Sequence, residues 1–382
     1  MAKYKLGEIA PIQQGNIEKN DKYWLLNLDM VESNSGRVID YLFVEPSEIG
    51  TSTVVFDKKN VLYSKLRPYL NKVVLPQCSG YATSEMLPLR PNTAIITRKY
   101  LTYFLRSPGF VSYISEKTSG AKMPRANTSD LKSVEIECPS LDEQNRITCI
   151  FDQLVSIISL REQELRTLDD LIKARFVEMF GNPVLNDRGW DQQSLGKLTT
   201  KIGSGATPKG GKEAYKEEGI TLIRSMNVRN GQFEYKDLAH ISEEQASKLD
   251  NVIVEENDVL LNITGASVAR SCVVPPKVLP ARVNQHVCIV RCNKSIIPEF
   301  LNKLLIDDNY QDLLWGIAGS GATREAITKQ QVENLQIIMP PIELQKDFMS
   351  FVKQVDKYKV VIQKSLEETQ LLFNGLMQEY FG

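Results

Sequence analysis

The sequence has little of the chemistry that metal centres and histidine-dependent enzymes need. Only two histidines, His240 and His286, occur among 382 residues, so a zinc site or a histidine-based triad has little support. The six cysteines form no Cys-x-x-Cys pair, and Cys288 and Cys292 are the nearest two. Unpaired, scattered cysteines are typical of a reducing cytosol. The N-terminal segment lacks the apolar stretch of a signal peptide, and no run approaches the ~18 apolar residues of a membrane span. These absences predict a cytoplasmic protein without a membrane partner.

Motifs of the common nucleotide-binding and DNA-modifying enzymes are also missing. The Gly-rich stretch 203–212 could contact an anion, but a P-loop requires Gly-Lys-Ser/Thr, and Lys212 is followed by Glu213. Neither Pro-Pro pair, at 275–276 and 340–341, has the amide or acidic residue before it and the aromatic residue after it that an amino-methyltransferase carries. No proline precedes an aspartate, as the metal-dependent nuclease motif requires. The chain is therefore predicted to be non-catalytic, with no metal or cofactor of its own.

The most informative feature is an internal repeat. Residues 119–181 align without a gap with residues 320–382, because each position has its counterpart 201 residues later. Under this offset Gln144 corresponds to Gln345 and Phe180 to Phe381. Upstream of these segments the offset drifts, since Leu6-Gly7 is echoed 189 residues later by Leu195-Gly196. Two copies are too few for a solenoid and predict a pseudo-twofold molecule with insertions in its globular parts.

Each copy of the repeat ends in a segment with the apolar spacing of a long helix. Ser140 and Glu143 fit a capping box at the start of the first helix, and Gly181 ends it. The apolar face of each helix must be buried, and the two faces are most simply buried against each other in an antiparallel coiled coil. The alternative is that each helix packs on its own domain. The residues predicted to pack between the helices are Phe151, Leu154, Ile158, Leu165, Leu168, Ile172, Val352, Val355, Ile362, Leu366 and Phe373.

The remaining segments read as mixed α/β domains. Strands are predicted at 23–28, 53–56, 60–64 and 72–76, and a helix at 98–107. The predicted fold class is α/β (mixed α+β), with two similar domains separated by two long helices. The predicted bounds are 1–140 for the first domain, 141–182 for the first helix, 183–341 for the second domain and 342–382 for the second helix.

Cationic and amide side chains in the irregular segments are the candidates for nucleic-acid binding. The net charge of −1 excludes a uniformly basic chain but permits local basic patches. Lys and Arg neutralise phosphates, while Arg, Asn and Gln can pair with base edges. For any single residue a solvated surface role is at least as well supported. The candidates are Lys65, Arg67, Lys122, Arg125, Lys209, Arg224, Arg229, Asn284, Gln285 and Arg324.

Taken together, these features resemble the specificity subunits of type I restriction-modification systems over essentially the whole chain. The resemblance is carried by the doubled Ser-Gly-Ala segment with its helix ending in Phe-Gly, by the Leu-Gly opening of each half, and by the strand motifs at 60–64 and 258–265. It implies two target-recognition domains that bind a bipartite, asymmetric site on double-stranded DNA. It also implies two modification (methyltransferase) subunits and translocating restriction subunits as partners. S-adenosylmethionine, ATP and magnesium would then be used by those partners.

The main alternative is a scaffold whose coiled coil holds two protein-binding domains. A fused fragment of a methyltransferase or an endonuclease is a second alternative, with less support because the motifs are missing. If helices of this length set the separation of the two domains, the half-sites are expected on the order of 10–15 base pairs apart.

Overall fold

The computed structural model describes residues 2–120, 122–207, 215–319 and 325–382. The chain forms two compact units. Unit 1 comprises residues 1–164 and 362–382, and unit 2 comprises residues 165–361. Each unit contains a mixed α/β domain together with part of both long helices, so the fold class expected from the sequence is confirmed.

Unit 1 is built on short strands that form two larger sheets. Its strands are β1 (Ala2–Lys5), β2 (Tyr23–Leu26), β3 (Leu42–Val44), β4 (Thr53–Phe56), β5 (Val61–Ser64), β6 (Val73–Val74), β7 (Gly80–Thr83), β8 (Met86–Leu89), β9 (Thr118–Ser119), β10 (Arg125–Ala126) and β11 (Glu135–Cys138). One sheet has the order β3-β2-β7-β4 and another the order β6-β5-β8, while β1 pairs with β11 and β9 with β10. The strands predicted from alternating apolar patterns therefore exist, although that expected at 72–76 contracts to β6.

Four shorter helices complete the globular part of unit 1. They are α1 (Leu6–Ile9), α2 (Arg98–Arg106), α3 (Pro108–Glu116) and α4 (Thr128–Ser133). The Thr97 and Ser107 hydroxyls accept hydrogen bonds from the first turns of α2 and α3, as N-cap residues do. The α2 face with Leu101 and Leu105 is fully buried in the same core as Val61.

Unit 2 repeats this plan with more strands. They are β12 (Gln192–Ser194), β13 (Thr199–Ser204), β14 (Ile220–Ile223), β15 (Val228–Arg229), β16 (Gln232–Phe233), β17 (Ala239–Ile241), β18 (Ile253–Val254), β19 (Val259–Asn262), β20 (Ser271–Val273), β21 (Ala281–Val283), β22 (Val287–Cys292) and β23 (Gln336–Ile338). The sheets have the orders β13-β22-β19-β20 and β17-β14-β21-β18. The helices of its globular part are α6 (Glu243–Ser247), α7 (Pro298–Leu305), α8 (Asp308–Gly319) and α9 (Lys329–Glu333).

The long helices are α5 (Leu141–Phe180) and α10 (Ile342–Phe381), each of 40 residues. In unit 1 the beginning of α5 meets the end of α10. There the centre of the Phe151 ring lies 5.4 Å from the ring centre of Phe373 and 5.9 Å from that of Phe381. In unit 2 the end of α5 meets the beginning of α10, where the ring centres of Phe180 and Phe348 are 5.4 Å apart. The two helices therefore pack antiparallel in both units.

The long helices also pack on the globular cores, so the two burial schemes considered from the sequence are combined. Ile147 and Phe151 join the core of unit 1, and Phe176 and Phe180 join the core of unit 2. Each long helix has one charged residue at an otherwise apolar position of its packing face. Both of these residues form ion pairs, Arg161 with Glu164 and Lys359 with Asp169. Among the predicted packing residues the buried ones are Phe151, Leu154, Ile172, Val352, Val355 and Leu366, and the half-buried ones are Ile158, Leu165, Leu168, Ile362 and Phe373.

The repeat is also visible in the buried polar groups of the two units. Gln144 is fully buried in unit 1, where its amide oxygen accepts from the Thr97 N–H at 2.8 Å. Gln345 is equally buried in unit 2 and accepts from the Ile297 N–H at 3.1 Å. Each glutamine also donates to the carbonyl of a preceding proline. Because burial of an unpaired polar group is unfavourable, these glutamines are part of the shared framework.

An arginine that pairs with carboxylates also recurs. In unit 1 the Arg90 guanidinium donates to both carboxylate oxygens of Asp57 at 2.9 Å. Its counterpart in unit 2, Arg291, donates to both oxygens of Asp258 at 2.8 and 2.9 Å and also to Glu255, which is the counterpart of Asp57. An equivalent arginine therefore holds the turn before β5 and before β19, although the carboxylates that it contacts differ in part.

Candidate nucleic-acid interface

Three segments of unit 1 are joined by backbone hydrogen bonds and bring several candidate residues together. The Lys65 N–H donates to the Glu85 carbonyl at 2.9 Å, which ties the segment after β5 to the turn between β7 and β8. The Ala126 N–H donates to the Lys65 carbonyl at 2.8 Å, and the Arg67 N–H to the Pro124 carbonyl at 2.7 Å. Lys65, Arg67 and Arg125, which are far apart in sequence, therefore lie on one backbone frame, called here the frame of unit 1.

The same frame exists in unit 2. The Ile263 N–H donates to the His286 carbonyl at 3.0 Å, and the Ile327 N–H donates to the Ile263 carbonyl at 2.8 Å. Isolated bridges close both frames, between Leu66 and Arg125 in unit 1 and between Thr264 and Ala326 in unit 2. His286 and Ala326 thus occupy the positions of Glu85 and Arg125, each 201 residues later. The backbone is repeated, and the side chains on it are not.

In both frames the residue two positions after Lys65 or Ile263 has the left-handed backbone conformation. Arg67 has a φ of 48°, and its counterpart Gly265 has a φ of 74°. Glycine adopts this conformation readily, whereas a side chain is strained in it. An arginine kept at such a position, with its side chain exposed, is placed there against its backbone preference. Strain of this kind concentrates at functional sites, which supports the choice of Arg67 as a candidate.

The side chain of Arg125 is held by the carboxylate of Glu85. Its Nε atom lies 3.1 and 3.2 Å from the two carboxylate oxygens, and one terminal nitrogen lies 2.9 Å from Oε1. The hydrogen bonds that Arg125 donates to the Glu85 carboxylate raise the pKa of Arg125. Both side chains are partly exposed, at 43% for Arg125 and 21% for Glu85. The guanidinium is therefore oriented by Glu85 and still accessible.

The other three candidate cations of unit 1 form no ion pair within the part of the chain that the structure describes. Lys65 is half-buried, and Arg67 and Lys122 are exposed. None of the three takes part in an ion pair with a described residue. Lys122 precedes Arg125 by three residues, so it lies on the same segment. These side chains are free to neutralise phosphates.

In unit 2 the segment 284–286 is built around Asn284, which is buried. Its side-chain oxygen accepts from the His286 N–H at 3.0 Å, and its own N–H donates to the Ile223 carbonyl at 3.1 Å. Asn284 therefore shapes the turn before β22. Gln285 is exposed: it accepts from the Thr207 hydroxyl and donates to Nε2 of His286 at 3.1 Å. The other ring nitrogen of His286, Nδ1, is hydrogen-bonded with the Thr264 hydroxyl.

A cleft of about 520 Å³ lies beside this turn. Arg229, Arg270, Thr264 and His286 contribute side chains to it, together with Glu325. Neither arginine is in an ion pair with any described residue. The cleft therefore presents two free guanidinium groups beside a hydroxyl and an imidazole, which is a set that can contact phosphates or base edges.

The remaining candidates have other surroundings. Arg224 is half-buried, donates to the Asp237 carbonyl and lies 5.4 Å from the centre of the Tyr215 ring. Lys209 and Arg324 lie outside the described residues. Thr264 was not among the candidates, because only the folded chain shows that it shares a surface with those named. The sequence also indicates Arg270 as a cation of an irregular segment, and Glu85 as a polar residue at the position that matches His286.

Among the described residues, no group of three or more His, Cys, Asp or Glu side chains is arranged to hold a metal ion. No described helix is long and apolar enough to cross a membrane.

Comparison with known proteins gives a consistent result. The family model for the type I restriction modification DNA specificity domain matches residues 1–169 and 187–370. A type I restriction enzyme specificity subunit from Methanocaldococcus jannaschii, MjaIX, is 21% identical over 409 residues, covering 98% of this chain and 90% of that protein. Another from the same organism, MjaVIII, is 20% identical over 307 residues, covering 76% of this chain and 71% of that protein.

Two solved structures share the fold. One comes from a study of complex assembly and conformational transition of the type I R-M system, with a TM-score of 0.65 and 19% identity, covering 100% of this chain and 97% of that one. The other is the S subunit of a type I restriction-modification system from M. genitalium, with a TM-score of 0.57 and 16% identity, covering 100% of this chain and 96% of that one.

Proposed function

The chain belongs to the type I restriction modification DNA specificity family, and from this premise we propose that it reads a bipartite, asymmetric sequence on double-stranded DNA. Each unit would bind one half-site. Contacts to phosphates set the register of a protein on DNA, while contacts to base edges carry the sequence information. A recognition subunit therefore needs a constant framework that supports variable side chains.

The observation that supports this proposal most directly is the doubled frame. An equivalent arginine, Arg90 in unit 1 and Arg291 in unit 2, holds the turn before a core strand through ion pairs with its carboxylates. On the frames themselves, Arg125 and Glu85 in unit 1 are replaced by alanine and histidine in unit 2. Two readers on equivalent backbones with different side chains would recognise two different half-sequences.

We further propose that two modification subunits and, with them, restriction subunits assemble on this chain. Large apolar side chains that are exposed on the long helices support a protein-binding surface, since contiguous apolar exposure is uncommon on a monomer. They are Val155, Ile157 and Leu160 in unit 1 and Tyr358, Val360 and Val361 in unit 2. S-adenosylmethionine, ATP and magnesium would be bound by those partners in the cytoplasm, with this chain supplying the sequence recognition alone.

The proposal is tested by a chimaera. Residues 1–140 are replaced by the corresponding segment of another family member, and the chain is co-expressed with its cognate modification subunits. Mapping N6-methyladenine in a host genome gives both half-sites and their spacer in one experiment. We expect one half-site to change and the other to stay, while native mass spectrometry counts the modification subunits bound.

Three outcomes would contradict the proposal. A wild-type complex that methylates random sequences equally would exclude sequence recognition by this chain. A chimaera in which both half-sites change would show that the units are not independent readers. An assembly in which the chain binds other proteins but leaves the DNA motif unaffected would favour the scaffold alternative.

A further inference from the structure

The pair formed by Arg125 and Glu85 has a geometry that leaves part of the guanidinium unused. Glu85 accepts from the Nε side of Arg125, through Nε and one terminal nitrogen. The other terminal nitrogen makes only a 3.5 Å contact with the Met123 carbonyl. A guanidinium carries five N–H donors in a rigid plane, so the two terminal nitrogens still present a fork of N–H groups. The carboxylate fixes the direction of that fork.

The two terminal nitrogens of Arg125 are better suited to a base with two adjacent acceptors than to a phosphate. Guanine presents N7 and O6 side by side in the major groove, and a bidentate arginine is the commonest specific contact to them. A phosphate also accepts from arginine, but the Glu85 carboxylate beside the guanidinium would repel it. The carboxylate has lone pairs left, and it could accept from the N4 amino group of the cytosine in the same pair. The combination of a fixed donor fork and an acceptor matches a G·C pair.

A structural explanation of the pair is weaker, because the pair is not shared. The arginine of the framework ion pair Asp57–Arg90 has a counterpart in unit 2, Arg291, which pairs with Glu255 and Asp258 in the equivalent turn. At the positions of Glu85 and Arg125, unit 2 has His286 and Ala326, and its frame closes with the same backbone hydrogen bonds. The fold therefore does not need the pair.

We propose that Arg125, oriented by Glu85, reads the guanine of one G·C pair in the half-site bound by unit 1. This inference rests on the proposed function and deepens it, since it assigns a base and a specificity-determining pair to one of the two readers. Glu85 is a positioning residue that also disfavours a phosphate at this place.

The test uses the full chain assembled with its modification subunits and a duplex library in which each position of the motif is randomised. Arg125→Lys keeps the charge and removes the fork, and Glu85→Gln keeps the shape and removes the carboxylate. We expect both variants to lose preference at the same single position of the unit 1 half-site, roughly 10–100-fold for Arg125→Lys. The other half-site is read in the same molecule and reports that the chain is folded.

Matched controls separate this role from a general loss of charge. Arg37 and Glu32 form an exposed pair of the same type in unit 1, at 2.9 Å, so Arg37→Lys and Glu32→Gln should leave the motif unchanged. A phosphate role for Arg125 predicts a different pattern. Arg125→Gln would then weaken binding equally on all sequences and reduce the salt dependence by about one ion.

The outcomes for the inference and for the proposed function are distinct. If the wild-type complex shows no bipartite motif, the proposed function fails. If the wild type has a bipartite motif and Arg125→Lys leaves every position of it intact, only the inference is wrong. A uniform loss on all sequences would assign Arg125 to a phosphate and also overturn the inference.

Discussion

The buried glutamine at the start of each long helix offers a sharp test of how the units are held together. In unit 1 the Gln144 side chain makes three hydrogen bonds to backbone groups. It accepts from the Thr97 N–H at 2.8 Å and donates to the carbonyls of Ile95 at 2.8 Å and Pro139 at 3.0 Å. The side chain thus links the start of α5 to the start of α2. Replacing it with leucine keeps the volume and removes all three bonds.

The expected loss of stability follows from the groups that are left behind. Each buried backbone group without a partner costs about 1–3 kcal/mol, and the apolar side chain regains about 1 kcal/mol by its burial. Gln144→Leu should therefore lower the free energy of unfolding of unit 1 by about 2–8 kcal/mol. Gln345→Leu, which removes the two bonds to Ile297 and Pro340 in unit 2, should have a smaller effect, about 1–5 kcal/mol.

Native-state hydrogen exchange measures this in each unit separately. Peptides that cover α2 should lose protection in Gln144→Leu, while peptides that cover α7 in unit 2 keep theirs. The matched control is Gln153→Leu, the same substitution at an exposed position of the same helix. If Gln144→Leu and Gln153→Leu gave equal protection of α2, the glutamine would not be linking the two elements, and the assignment of a framework role would be wrong.

The remaining predictions concern a buried carboxylate and the aromatic packing of α5. Burial raises the pKa of Asp57, but hydrogen bonds from Arg90 and from two backbone amides outweigh this and lower it to about 2. A folded-state pKa below the unfolded value stabilises at higher pH. About 2 kcal/mol of unit 1 stability should therefore be present above pH ~4 and lost as the pH falls towards 2, and urea titrations of Asp57→Asn should lack this component. In unit 2, Phe180 is fully buried with its ring 5.0 Å from Phe300, so Phe180→Ala should cost about 3–5 kcal/mol in urea unfolding. Val177→Ala, exposed on the same helix, should stay within about 0.5 kcal/mol, and equal losses for both would contradict the packing described.

The long helices could be predicted from the sequence because apolar spacing and helix-end signals are properties of the segment itself. The apolar spacing and the terminal signals place α5 and α10 within a few residues of their observed ends. The strands β4 and β5 were predicted from runs of β-branched and apolar residues. A two-residue strand such as β6 is decided by its pairing with β5, and its bounds could not be read from its own residues.

The candidate site was predicted in part. Cationic residues could be named from the sequence, but their partners could not, because Glu85 and Arg125 are 40 residues apart. The sequence offered Asn284 and Gln285 equally, whereas the folded chain buries Asn284 within its turn and leaves Gln285 exposed. Which side chain faces solvent depends on how distant segments close around it, and no local pattern records that.

By itself, the sequence determined that this protein is doubled, because the gapless match of residues 119–181 with residues 320–382 is a property of the order of residues alone. The sequence also determined that each copy contains a long helix, because the helical spacing of apolar residues lies within one continuous segment. Tertiary structure decided which features the copies share and where they differ. The repeat alone matches Arg125 with Ala326, but hydrogen bonds between distant backbone segments bring Glu85 and Arg125 together in unit 1 and their counterparts together in unit 2. Only the folded chain therefore shows one frame that carries two different sets of side chains.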